Sequence, residues 1–244
     1  LVLLSHCHED HIPGLAYFPK AECWVHQADH YGLESIDRFM DLFGLQEPRR
    51  SDFARLCVEK FNYRPRPDAL AFDDRHVWDL GGVTIKAIHS PGHTAGHCFF
   101  LVEPDQVLYL GDVDLSSFGP YYADAGSNLE DFARSIREAR EVEAQYYVSS
   151  HHKGIVDPDT FRELIEKYGK VISTRDQRLL AFLDKPRSLD DIVAHRFIYR
   201  SQDDLPGIDW VERVSMDMHL NRLECVGSIK RREDGSYERF RETS

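Results

Sequence analysis

The sequence has little cysteine, methionine or positive charge, and no long apolar run. Its five cysteines, Cys7, Cys23, Cys57, Cys98 and Cys225, are odd in number, scattered, and include no C-x-x-C pair. That excludes a disulfide framework and a cysteine-based zinc knuckle, and it fits a reducing, cytoplasmic setting. No window approaches the ~18 consecutive apolar residues of a membrane helix, so no membrane partner is expected. Against 42 Asp+Glu there are 30 Lys+Arg, an acidic balance that repels nucleic acids and anionic membranes alike. There is no internal repeat or low-complexity tract. The 244 residues, 42% of them hydrophobic, supply material for one large domain or two smaller ones. The chain lacks an initiator Met and opens on the apolar run Leu1-Val2-Leu3-Leu4, so a segment cut from a longer protein is expected.

What the sequence does have is histidine, 13 in all. An apolar strand at residues 1–4 leads straight into Ser5-His6-Cys7-His8-Glu9-Asp10-His11. Imidazole nitrogen and carboxylate oxygen are the donors that borderline divalent ions such as zinc take. In an extended loop, alternate residues share a side, so His6 and His8 face one ion while Cys7 points away into packing. Asp10 and His11 can then face a second ion. Three further segments place similar groups at strand ends: the His89-to-His97 turn with Pro91-Gly92-His93-Thr94, the Gly111-Asp112 step after Leu110, and His151-His152 after Val148. Each is ordinary alone, and together they converge.

Around these motifs the pattern reads as short strands near residues 23–25, 76–78, 83–88, 98–102, 107–110 and 146–148. Helical spacing recurs over Gln27 to Tyr63, broken at Pro48 with Ser51 and Asp52 as cap candidates. Phe39, Phe43, Phe53 and Phe61 there belong to a helix core before a substrate pocket, while Phe118 to Tyr122 is the better substrate-contact segment. Ser127 with Glu130 suggests a capping box, and Asp157-Pro158 opens a helix running towards Tyr168. In the tail, Ser188 and Asp191 cap a helix to about Tyr199. Asp209 and Glu212 open another that turns Met216, Leu220 and Leu223 inward and stops at Gly227. A hairpin then turns at Asp234-Gly235.

With its four motifs in this order across about residues 1–155, the chain resembles the metallo-β-lactamase-fold hydrolase superfamily. The resemblance implies an α+β fold, an αββα sandwich, over residues 1–168, whose N-terminal strands are expected to be missing here. A winged-helix-like domain is expected over 169–244. It further implies that His6, His8 and His93 hold one metal, that Asp10, His11 and a late histidine hold the other, and that Asp112 bridges them. Counted from the preceding strand, His151 is preferred over His152 as the late ligand. Two divalent ions, zinc first with iron or manganese as alternatives, would lower the pKa of a bridging water towards ~7 and yield hydroxide as nucleophile, with Asp10 accepting the proton.

The expected function is therefore a dinuclear metal-dependent hydrolase of a small-molecule ester, thioester, lactone or amide. A non-haem iron oxidoreductase and a metal-dependent nuclease are the alternatives. Residues 156–244 hold 16 Lys+Arg against 18 Asp+Glu, and residues 1–155 hold 14 against 24, so neither part has the basic balance of a nucleic-acid-binding domain. Dimerisation, or service as a wall of the substrate cleft, is the expected role of the tail.

Overall fold

The structure, a computed structural model, describes residues 1–240. Strands β1 (Val2–Leu3), β2 (Cys23–His26) and β3 (Leu70–Phe72) form a parallel sheet in that order. A second sheet takes β4 (Val77–Asp79), β5 (Thr84–His89), β6 (Cys98–Glu103), β7 (Val107–Tyr109), β8 (Tyr146–Val148) and β9 (Ile155–Val156) in sequence order. Its pairings are antiparallel except β7 with β8. That parallel pair needs a crossover, which carries α3 (Leu129–Ala139).

Alternation along the strands sets the layers. Trp24, between Cys23 and Val25 on β2, turns inward with Leu3 and Phe72 to meet Trp78, Ala87, Cys98 and Phe100 of the second sheet. Cys23 and Val25 turn outward against Phe39, Met40 and Cys57 of α1 (Ile36–Phe43) and α2 (Arg49–Glu59). Phe99, flanked by two inward residues, and Leu108 face Phe132 and Ile136 of α3 and Phe161, Ile165 and Tyr168 of α4 (Pro158–Phe182). The layers are thus helix, sheet, sheet, helix, the expected αββα sandwich.

Several helix boundaries differ from the sequence expectation. Neither Ser51 nor Asp52 caps α2, which starts at Arg49 behind Pro48, while the Ser51 N–H donates to Glu47. Asn128 caps α3 by accepting from the Glu130 and Asp131 N–H groups, so the Ser127–Glu130 box does not form. Asp157 and Pro158 open α4 as expected. However, α4 continues past Tyr168 to Phe182, through the position where the sequence suggests a boundary. At Gly169 the missing Cβ admits Ile136 of α3, whose Cγ2 would lie 3.1 Å from one.

The C-terminal half of α4 packs in a third cluster with α5 (Leu189–His195), α6 (Ile208–Cys225) and the hairpin of β10 (Ile229–Arg231) and β11 (Tyr237–Arg239). Leu179, Ile192, Met216, Leu220 and Tyr237 are its centre. Ser188 and Asp191 form the expected capping box. Glu212 is no cap: it is fully buried and accepts from the Phe197, Ile198 and Tyr199 N–H groups. Those donors are thereby taken from α5, which ends at His195 rather than Tyr199, and α6 begins behind Gly207. No described helix is long and apolar enough to cross a membrane.

At the C-terminal ends of β2 and β5 the sheets are joined by His26 and His89, stacked with ring centroids 4.0 Å apart and 13° from parallel. Burial first, then the charge of His89, holds His26 down to about 4, against the pull of Asp74 and Asp73. Between pH 6.5 and about 4 the unfolded chain therefore binds a proton that the folded one refuses, and stability falls as the pH drops through that window. Urea unfolding at pH 7 and pH 5 is expected to show a smaller acid loss in His26→Phe, which keeps a stacked ring, than in the parent. An equal loss in both would assign the effect elsewhere.

Candidate metal centre

The His6-to-His11 loop leaves the carboxyl end of β1, where Leu4 N–H continues the pairing with β2 at Trp24 O (2.9 Å) and Cys98 N–H of the second sheet donates to Ser5 O (2.8 Å). Alternation then does what the sequence suggested. His6 and His8 are buried towards the site, while Cys7 is buried on the opposite side beneath α1. His93 comes from the turn between β5 and β6, Asp112 from the end of β7, and His151 from the end of β8.

These residues converge in two groups. Ligand atoms of His6, His8, His93 and Asp112 lie within 4.8 Å of one another, and so do those of Asp10, His11 and His151. Asp112 faces both: Oδ2 is 3.8 Å from His6 Nε2 and 3.3 Å from His93 Nε2, while Oδ1 is 3.0 Å from His11 Nε2 and 3.6 Å from His151 Nε2. Asp10, the expected proton acceptor, has Oδ2 3.2 Å from His151 Nε2 and is part-exposed. Of the adjacent histidines, His151 joins the group; His152 turns out to solvent, 3.5 Å from Asp114.

The residues fit divalent ions. His6 Nε2, His8 Nε2, His93 Nε2 and Asp112 Oδ1 are buried without a hydrogen-bond partner, an arrangement that is costly unless something binds them. His93 Nδ1 donates to Tyr121 O (3.0 Å), leaving the Nε2 lone pair aimed into the group. Burial, then the charges of His8 and His93, hold His6 well below the usual imidazole range. Burial opposes ionisation of Asp112, but the facing imidazoles of His11, His93 and His6 hold its carboxyl far below the usual carboxylate range. Imidazole nitrogens and carboxylate oxygens are the donor set of borderline divalent metals.

Sequence reasoning missed the groups that brace these ligands. Asp29, fully buried just past β2, accepts from Cys7 N–H (3.2 Å), Thr94 Oγ1 (2.7 Å) and Gly96 N–H (2.8 Å), tying the His6–His8 loop to the His93 turn. Its only signal was a carboxylate following an apolar strand. His97 stood in the His89-to-His97 run without a role. Its Nε2 accepts the Asp112 N–H (3.1 Å), and its Nδ1 donates to Ser90 O (3.1 Å). Asp124, also unassigned, puts Oδ2 3.1 Å from His8 Nε2. Burial works against protonation of His8, but the Asp124 carboxylate beside it overrides this and pushes His8 up to about 10, so His8 would take an ion only by giving up a proton. Ser127, freed from capping, donates through Oγ to His93 O (2.7 Å). Gly92 holds φ at +125°, and a Cβ there would lie 2.2 Å from Phe132 N, so the turn can press directly onto α3.

His8, His93 and Asp112 of the first group and Asp10 of the second line a cavity of about 700 Å³. Phe43 and Phe53 line it from the helical stretch, whereas Phe39 and Phe61 do not; Phe118 and Tyr121 line it from the segment favoured by sequence. Tyr122 is instead buried behind it. The tail closes one side with Pro206, Gly207, Trp210 and Val211.

A family model described as the metallo-beta-lactamase superfamily matches residues 1–151. The chain is 32% identical to the lactamase-like protein aptB of Emericella nidulans over 52% of its own length and 39% of that protein. It is 27% identical to an atrochrysone carboxyl ACP thioesterase of Aspergillus fumigatus, over 34% of its own length and 25% of that protein. It thus spans well under half the length of these curated relatives. Its fold is similar to the crystal structure of a metallo-beta-lactamase family protein from Thermus thermophilus, with a TM-score of 0.70, 23% identity, and coverage of 98% of this chain and 79% of that one.

Because Asp29 satisfies three buried donors, Asp29→Ala is expected to lower stability by about 3 kcal/mol or more in urea unfolding. Unchanged stability would show that the loop and the turn are held by other contacts.

Proposed function

The chain belongs to the metallo-β-lactamase superfamily of hydrolases, and from that premise we propose that it is a dinuclear, zinc-dependent hydrolase of acyl thioesters with a bulky, largely apolar acyl group. The observation that carries this reading is the cavity: His8, His93, Asp112 and Asp10 of the two candidate ligand groups line it, together with aromatic and aliphatic side chains. Relatives named as acyl-carrier-protein thioesterases support the thioester choice among the ester, thioester, lactone and amide bonds that such a site can attack.

In this reading His6, His8, His93 and Asp112 would hold one ion, and Asp10, His11 and His151, with Asp112, would hold the second. When bound, the pair supplies Lewis acidity and a water acidic enough to lose its proton near neutral pH. Asp10, at the part-exposed edge, is placed to hold a proton on its carboxylate and pass it towards solvent or the leaving group. A thiol leaving group has an ordinary pKa near ~8.5, so it departs with little help from an acid. Phe43, Phe53, Leu56, Phe118 and Trp210 enclose the acyl group and exclude water from it.

Charge selects against polyanions. Among the described residues lining the cavity, Glu9, Asp10, Asp52, Asp112, Asp114 and Asp124 stand against a single arginine, Arg49 at the rim. A nucleic-acid strand would meet repulsion along its length. Arg49 instead suits one anionic handle on an otherwise apolar substrate. The winged-helix-like tail then serves as a wall of the cleft.

Zinc-loaded protein assayed on a panel of acetyl, long-chain and aromatic acyl thioesters, with matched oxygen esters and lactones, tests this. The bulky acyl thioesters are expected to have the highest kcat/KM. Trp210→Ala is expected to raise KM for them by about tenfold, equivalent to ~1.4 kcal/mol, with little change for the acetyl thioester. Failure to cleave any thioester, or an equal effect of Trp210→Ala on every substrate, would contradict the reading.

A further inference from the structure

The segment Phe118 to Tyr122 lines the cavity and carries the carbonyl that orients His93, yet it has no regular secondary structure of its own. Its backbone is held from the C-terminal helices. Arg175 of α4, 3% exposed, donates through Nη1 to Pro120 O (2.7 Å) and to Tyr122 Oη (2.7 Å), and through Nη2 to Phe118 O (2.7 Å). Ser215 of α6 donates through Oγ to Tyr122 O (3.3 Å).

Tyr122 Oη also lies 2.8 Å from Nε2 of His219 on α6, and His219 Nδ1 lies 2.6 Å from Oδ1 of Asp176 on α4. An ionised carboxylate only accepts, so Nδ1 carries the imidazole proton and Nε2 accepts from the tyrosine hydroxyl, which in turn accepts from Arg175. Burial holds His219 below the usual imidazole range, in keeping with this neutral tautomer. Arg222 Nε, 3.5 Å from Asp176 Oδ2, adds a cation at the outer end.

We propose that Asp176, His219, Tyr122 and Arg175 form a positioning network through which the C-terminal helices fix the orientation of His93 and the shape of the cavity wall. A buried guanidinium and imidazole are tolerated only where their donors and acceptors are met. Here the hydrogen bonds of both lead to one five-residue segment, so that segment has one low-energy position. Tyr121 O, held between Pro120 and Tyr122, then sets the direction of the His93 Nδ1–H bond and with it the Nε2 lone pair. Groups that orient a metal-binding histidine from behind typically change metal affinity 10- to 100-fold when removed. The tail is therefore part of the metal centre, although it contributes no ligand.

This inference rests on the metal reading above, and its test separates the two. The full chain is loaded with cobalt(II), and visible absorption and chelator competition are recorded for the parent, Tyr122→Phe, His219→Leu and Ile192→Val. Ile192 lies in the tail core, away from the network, and its substitution lowers the melting temperature without touching the segment. Tyr122→Phe and His219→Leu are expected to shift the absorption bands and to weaken one of the two ions by about tenfold, while Ile192→Val leaves spectrum and affinity as in the parent. If His219→Leu does not fold, Tyr122→Phe, which removes one hydroxyl, decides. Parent-like bands and affinity in Tyr122→Phe would overturn the positioning role and leave the metal reading intact. No cobalt bands in the parent would overturn both.

Discussion

Three imidazoles and a carboxylate brought together out of water, with ligand atoms facing inward and unpaired, are the constraint on which the rest of the structure depends. His6, His8, His93 and Asp112 present buried atoms that have no hydrogen-bond partner within the protein. Such a set is unfavourable unless a cation binds it and rigid surroundings keep it from collapsing into hydrogen bonds of its own. The surroundings are built accordingly. Asp29 ties loop to turn, His97 holds the Asp112 backbone, and the Tyr121 carbonyl turns His93. Each bracing group is itself buried or held by the main chain, so the ligand atoms have little freedom to turn away.

The fold serves this arrangement by placing the ends of strands from two sheets at one edge. β1 delivers the first histidines, the β5–β6 turn delivers His93, and β7 and β8 deliver Asp112 and His151. Around that edge, α1 and α2 supply one wall of the cavity, the segment after Asp112 a second, and the start of α6 a third. The long helix α4 belongs to two cores at once, with Phe161 to Ile172 in the sandwich and Leu179 in the tail cluster. It couples the tail to the site mechanically, and Arg175 and Asp176 lie where the two cores meet.

Much of this was legible in the sequence. The layers follow from short alternating strands and amphipathic helices, which local pattern encodes. Every residue of the two candidate ligand groups stands in a motif whose residue types and spacing are themselves the chemistry. The bracing residues were not legible, because Asp29, His97, Asp124 and Glu212 act through partners distant in the chain, and nothing local distinguishes a buried anchor from a solvated polar residue. Helix ends were misjudged for a related reason. Ser127 and Glu212 look like caps, but tertiary contacts recruit them elsewhere: Ser127 to the His93 carbonyl, and Glu212 to three backbone donors beyond α5.

The central claim is that the converging ligands hold a pair of ions. Elemental analysis of protein purified without added metal tests it most directly, with Asp112→Ala measured alongside. Two divalent ions per chain in the parent, and one or none after Asp112→Ala, is the expected result. A folded parent that neither carries metal nor takes it up on dialysis against zinc would contradict the account.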